Sequence, residues 1–206
     1  SDVGCMSVFG YNPRRHHTGR APLEAAAQGI VLGQDEVAFR CNTVTVTDGV
    51  MADYSAGHIE SDDSAELIRS VHEALGQDGV RFYPGVGYRH LMVIAGQEYA
   101  KTRCTPPHDI SGKPTAPHAP QGPGAARLGE LLCKTAGILQ DHPVNRRRVD
   151  AGKPPANQLW FWGQGTATSL PPFKQAYGLR GACISAVDIV RGIARLAGLE
   201  ILQVPG

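Results

Sequence analysis

Glu36-Val37-Ala38-Phe39-Arg40-Cys41-Asn42-Thr43-Val44-Thr45-Val46-Thr47-Asp48-Gly49-Val50 is the stretch on which the fold turns. Val37, Phe39 and Cys41, then Val44, Val46 and later Val50, alternate with polar residues, the period of a strand that lays one face on a core. Asp48-Gly49 is a two-residue hairpin signal, because the turn that matches strand twist needs positive φ at both central positions. The segment therefore reads as two antiparallel strands. Downstream, Ser61-Asp62-Asp63 opens a capped amphipathic helix that is apolar at Ala65, Ile68, Val71 and Leu75 and is ended by Gly76. Val80–Tyr83 and Tyr88–Ile94 flank Pro84-Gly85-Val86-Gly87 and give a second antiparallel pair. Gly85-Val86-Gly87 is then a turn and not a nucleotide loop, since no helix starts there. Two hairpins around a helix predict an α/β fold with an α+β centre: a mixed, largely antiparallel sheet with helices on one face.

Away from this centre the pattern changes. The first thirty residues read as loop followed by a short helix over Pro22–Gln28, where Pro22 suits a first turn and Leu23 to Ala27 favour helix. Residues 105–124, rich in Pro, Gly and His, read as a long surface loop, the kind of segment that is either functional or mobile. Helices follow over Ala125–Leu139 and Val144–Ala151. Leu159–Trp162 is a buried-type strand, Arg180–Ile184 a second strand, Ser185–Ala197 an amphipathic helix and Leu199–Val204 an apolar strand. A helix that runs through Gly into a strand is the αβ unit of a parallel sheet. Residues 1–30 and 156–206 are thus expected to belong to a different α/β domain from residues 31–155. The chain starts at Ser1 and stops at Val204-Pro205-Gly206, directly after an apolar run, and both ends read as cut from something larger.

Composition narrows the function classes. The 206 residues carry 42% hydrophobic content, enough for a sizeable core. Lys and Arg total 20 against 19 Asp and Glu, a net charge of +1, so no bulk field favours nucleic acid or a membrane surface, and any anion site has to be local. Five scattered cysteines without CxxC spacing support neither a disulfide framework nor a zinc site, which fits a reducing, cytoplasmic setting. No run approaches the roughly 18 apolar residues of a membrane span, and no signal-peptide pattern opens the chain.

Specific motifs run through the whole sequence: Ser1-Asp2-Val3-Gly4, Phe9-Gly10-Tyr11-Asn12-Pro13, Gly19-Arg20-Ala21-Pro22-Leu23-Glu24-Ala25, Val37 to Asn42, Asp53 to Ile59, Gly87-Tyr88-Arg89-His90, Pro107 to Lys113, His142-Pro143-Val144-Asn145, Pro155-Ala156-Asn157, Trp160 to Gly165 and Ile184 to Asp188. In this order they resemble the archaeal-type, cofactor-independent phosphoglycerate mutases of the alkaline phosphatase superfamily, from the catalytic serine through the inserted cap. The chain departs from the family pattern around Asp53, where Tyr54, Ser55 and His58 stand in place of arginines.

The resemblance implies an isomerase that interconverts 3-phosphoglycerate and 2-phosphoglycerate through a phosphoserine, as in glycolysis, with two divalent metal ions, manganese or magnesium. By resemblance Ser1 is the nucleophile and a metal ligand, because a neutral hydroxyl attacks poorly until a metal lowers its pKa. The remaining metal ligands are expected outside this chain, which alone is expected neither to bind the metals properly nor to turn over, and whose partner is then the remaining phosphatase-like core. Arg40, Asp53, His58, Arg89, His90, His108, Asp109 and Lys113 are the expected substrate-binding residues. Arginine suits the task because its planar fork grips phosphate or carboxylate bidentately. The competing readings are a stand-alone cap that binds phosphorylated acids without chemistry, and a fragment of a related metal-dependent phosphotransferase. Arg14-Arg15-His16-His17 reads as a solvated loop and not a metal site, Arg146-Arg147-Arg148 as a helix surface, and Trp160 and Trp162 as core.

Overall fold

The alternating segment folds as one twelve-residue strand, β1 (Glu36–Thr47), that turns at Asp48-Gly49 into β2 (Val50–Asp53). Asp48 and Gly49 take φ of 51° and 76°, left-handed values that Gly49 adopts without a Cβ penalty. The structure, a computed structural model, describes residues 1–77 and 79–203. β3 (Val80–Tyr83), β4 (Arg89–Ala95) and β5 (Gln158–Thr166) join β1 and β2 in a five-stranded sheet whose pairings are all antiparallel. β1 lies between β4, which pairs with its residues 36–42, and β5, which pairs with residues 37–44. Where β5 runs out, the Asn157 amide replaces a strand: its Oδ1 accepts from Val46 N–H at 2.9 Å and its Nδ2 donates to Val46 C=O at 2.8 Å.

β1 is buried almost end to end, not on alternate residues, because both sheet faces are covered. On one face Val37, Phe39, Cys41, Met92 and Ile94 pack under α4 (Ser61–Leu75) and α5 (Ala125–Leu139) through Leu67, Ile68, Val71, Leu128 and Leu131. Each such side chain contributes roughly 1.5–3 kcal/mol by leaving water. On the other face Ala38, Leu91 and Val93 lie under Ala21 and Ala25 of α3 (Arg20–Ala27), and Val44, Trp160 and Trp162 lie under Ile110 of the Pro-rich segment. The helices of the central segment thus sit on one face, as expected, while the second face is shared by a terminal helix and a loop.

The terminal segments build a core of their own. Met6, Tyr11, Leu23, Leu170, Ile189, Ile193 and Ala197 cluster together, drawn from α1 (Asp2–Val8), α3, α8 (Asp188–Leu196) and the intervening chain, α6 (Pro143–Asp150) and α7 (Phe173–Tyr177) lying between α5 and α8 in sequence. The first twenty residues are therefore not loop: α1 is capped by Ser1 Oγ, which accepts from Gly4 N–H, and α2 (Pro13–His16) by Asn12. A seven-residue helix shows too few turns for a period to be read, and buried Met6 is what anchors it. The parallel unit appears as expected: β6 (Ala182–Cys183) and β7 (Glu200–Ile201) pair in parallel across α8. The strand expected over Leu199–Val204 shrinks to β7, and Val204 lies outside the described residues.

Three further details bear on the expectations. Ser61 does not cap α4 with its side chain; its Oγ accepts from Gly87 N–H at 3.0 Å, tying the helix start to the β3–β4 turn. The Pro-rich segment is held in place, by 3₁₀ turns at Pro107–Ile110 and Ala116–His118 and by pairing of Arg103 with Gln121. β5 begins just past residue 156, where a return to the terminal lobe was expected, yet it is a full member of the central sheet. Among the described residues no helix is long and apolar enough to cross a membrane.

Candidate functional site

On the second face of the sheet, between the end of α3 and the Pro-rich segment, a band of polar and aromatic side chains is left over. Strand parity makes it. Arg40 and Asn42 share the face of Ala38 and Val44, Trp162 sits opposite Arg40 across β5, and Arg89 opposite Asn42 across β4. Asn42 is pinned from two sides, accepting from Trp162 Nε1 at 3.0 Å and donating to Tyr54 C=O at 3.3 Å.

Arg40 forms the floor. It is 5% exposed, its Nε donates to Glu24 Oε2 at 2.8 Å, and its guanidinium carbon lies 4.3 Å from the Trp162 ring centroid. Burial presses its pKa below the ordinary arginine value; Glu24 pulls it back, and the positive Arg20 and Arg89 nearby press it down further. Arg20 donates through Nε to Glu24 Oε1 at 2.9 Å and also approaches Trp162, at 5.7 Å. Among the described residues the Nη atoms of neither arginine have a hydrogen-bond acceptor. The rim carries Arg89, which lies over Tyr88 at 5.6 Å, and His108, whose ring meets Trp162 edge-on at 5.2 Å. Tyr54 bridges the two sides, edge-on to Tyr88 at 5.9 Å and to His108 at 6.1 Å, and His58 packs on Tyr88.

Of the substrate-binding residues expected from sequence, this band unites Arg40, Arg89, His58 and His108. Asp109 and Lys113 stand beside it on the same segment as His108, with Lys113 Nζ on the Asp109 carbonyl at 3.1 Å. Asp53 is occupied in shaping the turn below the rim. Its carboxylate accepts from Ser55 N–H, Ser55 Oγ and Gly57 N–H; burial alone would raise its pKa, but these bonds and His58 hold it below the usual range. Ala56, Gly57 and His58 all have positive φ there, and buried Arg148 braces them by donating to Ala56 C=O at 2.7 Å. Arg148 is thus an internal strut, while Arg146 and Arg147, on other sides of the same helix, are exposed.

His90 is placed elsewhere. It shares the face of Met92 and Ile94, toward α4 and α5, because it sits one residue from Arg89 on the same strand. Its Nδ1 accepts from Gly85 N–H at 3.1 Å, and burial pushes its pKa down to about 3.

Ser1 stands at the α1 N-terminus, with Asp2 bonded through Oδ2 to His17 Nε2 at 2.8 Å. His17 leads directly into Thr18, Gly19 and Arg20, and Gly19 packs so closely on Gln164 that a Cβ there would collide with the Gln164 carbonyl. The Arg14–His17 run is mostly helix α2, and its histidines are engaged with Ser169 C=O and Asp2. Among the described residues no group of three or more His, Cys, Asp or Glu side chains is placed to hold a metal, and Ser1 with Asp2 does not by itself make a site for one.

Sequence reasoning did not single out Arg20, Glu24, Asn42, Tyr54, Tyr88 or Trp162 for function. The Arg20–Glu24 spacing of four on a helix was the available signal for that pair; Trp162 and Asn42 depend on the β1–β5 register, which no local pattern reveals.

The 2,3-bisphosphoglycerate-independent phosphoglycerate mutase family model matches residues 1–145. Over its whole length the chain is 53% identical to the 2,3-bisphosphoglycerate-independent phosphoglycerate mutase of Methanothrix thermoacetophila and covers 52% of it. It is 51% identical to the probable mutase of the same name from Geobacter sulfurreducens, again covering 52%. Among solved structures, the cofactor-independent phosphoglycerate mutase of Thermoplasma acidophilum superposes with a TM-score of 0.68 at 30% identity, covering 100% of this chain and 57% of that one. The chain spans about half the length of the curated relatives it matches. By the family model and by these relatives aligned along all of it, the chain belongs to the 2,3-bisphosphoglycerate-independent phosphoglycerate mutase family.

Proposed function

We propose that this chain supplies the phosphoryl-accepting serine and the substrate-binding cap of a metal-dependent mutase that interconverts 3-phosphoglycerate and 2-phosphoglycerate. The observation that carries the reading is the arginine floor: Arg40, buried and with unpartnered Nη donors, beside Arg20 and Arg89. Glu24 is one carboxylate among Arg20, Arg40 and Arg89, and a bound phosphate would add a second anionic partner at the free Nη ends. Residues 31–166 form the cap, with Arg40, Arg89, His58, His108, Asp109 and Lys113 facing or flanking the ligand and Asp53 shaping the turn that carries His58. Residues 1–30 and the chain after Thr166 belong to the phosphatase-like lobe. Support for that boundary comes from the separate apolar cores and from the pairing of β5 with β1.

In this reading Ser1 Oγ forms a bond to phosphorus as the substrate C–O–P ester breaks, the serine proton ending on the departing glycerate oxygen. Return of the phosphoryl group to the other hydroxyl completes the isomerisation. The arginines hold the anion through both halves and keep the glycerate from leaving. The divalent metals of such chemistry would be held by Ser1 together with ligands from the remaining core, and would supply activation of the serine hydroxyl.

Ser1→Ala in the full-length protein tests the reading: no phosphoenzyme forms and turnover is lost, while phosphoglycerate still binds. Retained turnover would sink it. Because the arginine floor is complete within these residues, a binding module without chemistry is the competing reading. It is favoured if full-length wild-type protein binds phosphoglycerate but never forms a phosphoserine.

A further inference from the structure

Glu24 sits on α3, in the terminal segment, yet its carboxylate reaches the arginines of the site. It is 7% exposed, and each oxygen accepts one guanidinium Nε: Oε1 from Arg20 at 2.9 Å, Oε2 from Arg40 at 2.8 Å. Two planar groups are thereby held along one edge each, while the Trp162 ring limits them from the side, with guanidinium carbons 5.7 and 4.3 Å from its centroid. The Nη ends, which a bidentate Arg–carboxylate pair would engage, are left free of any acceptor among the described residues. Arg40 is buried as a residue, yet its Nη atoms are not among the fully buried, unpartnered side-chain atoms of the described residues, so these ends open to solvent, where an anion can reach them. The local charge also discriminates. Arg20, Arg40 and Arg89 against Glu24 leave an excess of positive charge that suits a phosphoryl dianion better than a single carboxylate.

Resting on the function proposed above, we infer that Glu24 is a positioning residue: it aligns Arg20 and Arg40 through their Nε atoms so that their Nη ends form one seat for the substrate phosphoryl group. The seat then joins the two lobes, because Glu24 and Arg20 come from the terminal segment and Arg40 from the central sheet.

The test uses the full-length protein and the variants Glu24→Gln, Arg40→Ala and both together, reading KM for 3-phosphoglycerate, Ki for inorganic phosphate, Ki for glycerate and Tm. Glu24→Gln is expected to raise KM and the phosphate Ki about tenfold, as misplacement of a binding group does, and to leave the glycerate Ki unchanged. Combined with Arg40→Ala, the rise is smaller than the product of the single effects, because one residue acts through the other. A lower Tm with unchanged KM and phosphate Ki, or a multiplicative double variant, overturns the positioning role. If Glu24→Gln does not fold, Glu24→Asp keeps the charge while drawing the carboxylate back, and it is expected to raise the phosphate Ki; a wild-type value overturns the inference. Should Arg40→Ala leave KM and the phosphate Ki unchanged, the substrate-site reading itself fails. Should Arg40→Ala weaken both while Glu24→Gln and Glu24→Asp do not, only the role of Glu24 fails.

Discussion

Arg40 and His90 are basic residues on adjacent strands, one register step apart: Arg40 pairs with Leu91 and Cys41 with His90. Parity sends them to opposite faces of the sheet. Arg40 meets Glu24 and Trp162 and stays a cation against the pull of burial. His90 meets the apolar core; among the described residues its Nε2 has no partner, and burial lowers its pKa to about 3, so it is neutral near pH 7. Thr43, on the same face as His90, likewise has a buried hydroxyl with no partner. Desolvation is shared by both faces. What differs is a carboxylate within reach, and that separates a ligand-ready charge from a silent ring.

The largest effect is expected where the difference is greatest. Arg40→Ala should weaken phosphoglycerate binding by about 2–5 kcal/mol if the contact is a buried charge-assisted pair, read as KM or by calorimetry, with Arg40→Lys recovering only part. An unchanged KM would remove the contrast between the two faces. His90→Phe, on the other face, should leave KM as it is.

The pH dependence of stability sharpens the comparison next. The folded pKa of His90, about 3, lies below the ordinary 6.5, so as pH falls through 6.5 the unfolded chain takes up a proton that the folded chain refuses. Stability from this group is therefore whole above pH 6.5 and is lost progressively as the pH drops toward 3. The slope is roughly 1.4 kcal/mol per pH unit for one proton. Denaturant unfolding of wild type and His90→Phe over that window should show the difference; parallel curves would mean that His90 protonates in the folded state. The smallest effect belongs to Thr43→Val, which removes an unsatisfied hydroxyl at nearly constant shape and should change stability by less than about 0.5 kcal/mol or raise it. A loss above 1 kcal/mol or so would reveal a partner for Thr43 and a wetter core face.

Period and turn chemistry were enough to place β1, its Asp48-Gly49 turn, the β3–β4 pair, α5 and the parallel β6–α8–β7 unit, because each is a local pattern longer than one turn or closed by a residue with special φ. The motifs by themselves also determined the family, since their order along the chain needs no coordinates. Tertiary structure alone decided which side of the sheet each chemical group faces. Arg89 and His90 are neighbours in sequence and were expected to share a ligand, but a strand sends consecutive side chains to opposite faces and only the cover laid on each face tells which is the site. The partnership of Glu24 with Arg20 and Arg40 was equally hidden, because α3 reaches β1 through close packing of Ala21 and Ala25 on Ala38 rather than through any pattern within either segment. Local sequence sets the period of an element, while the phase of that period relative to its neighbours is a property of packing between distant segments.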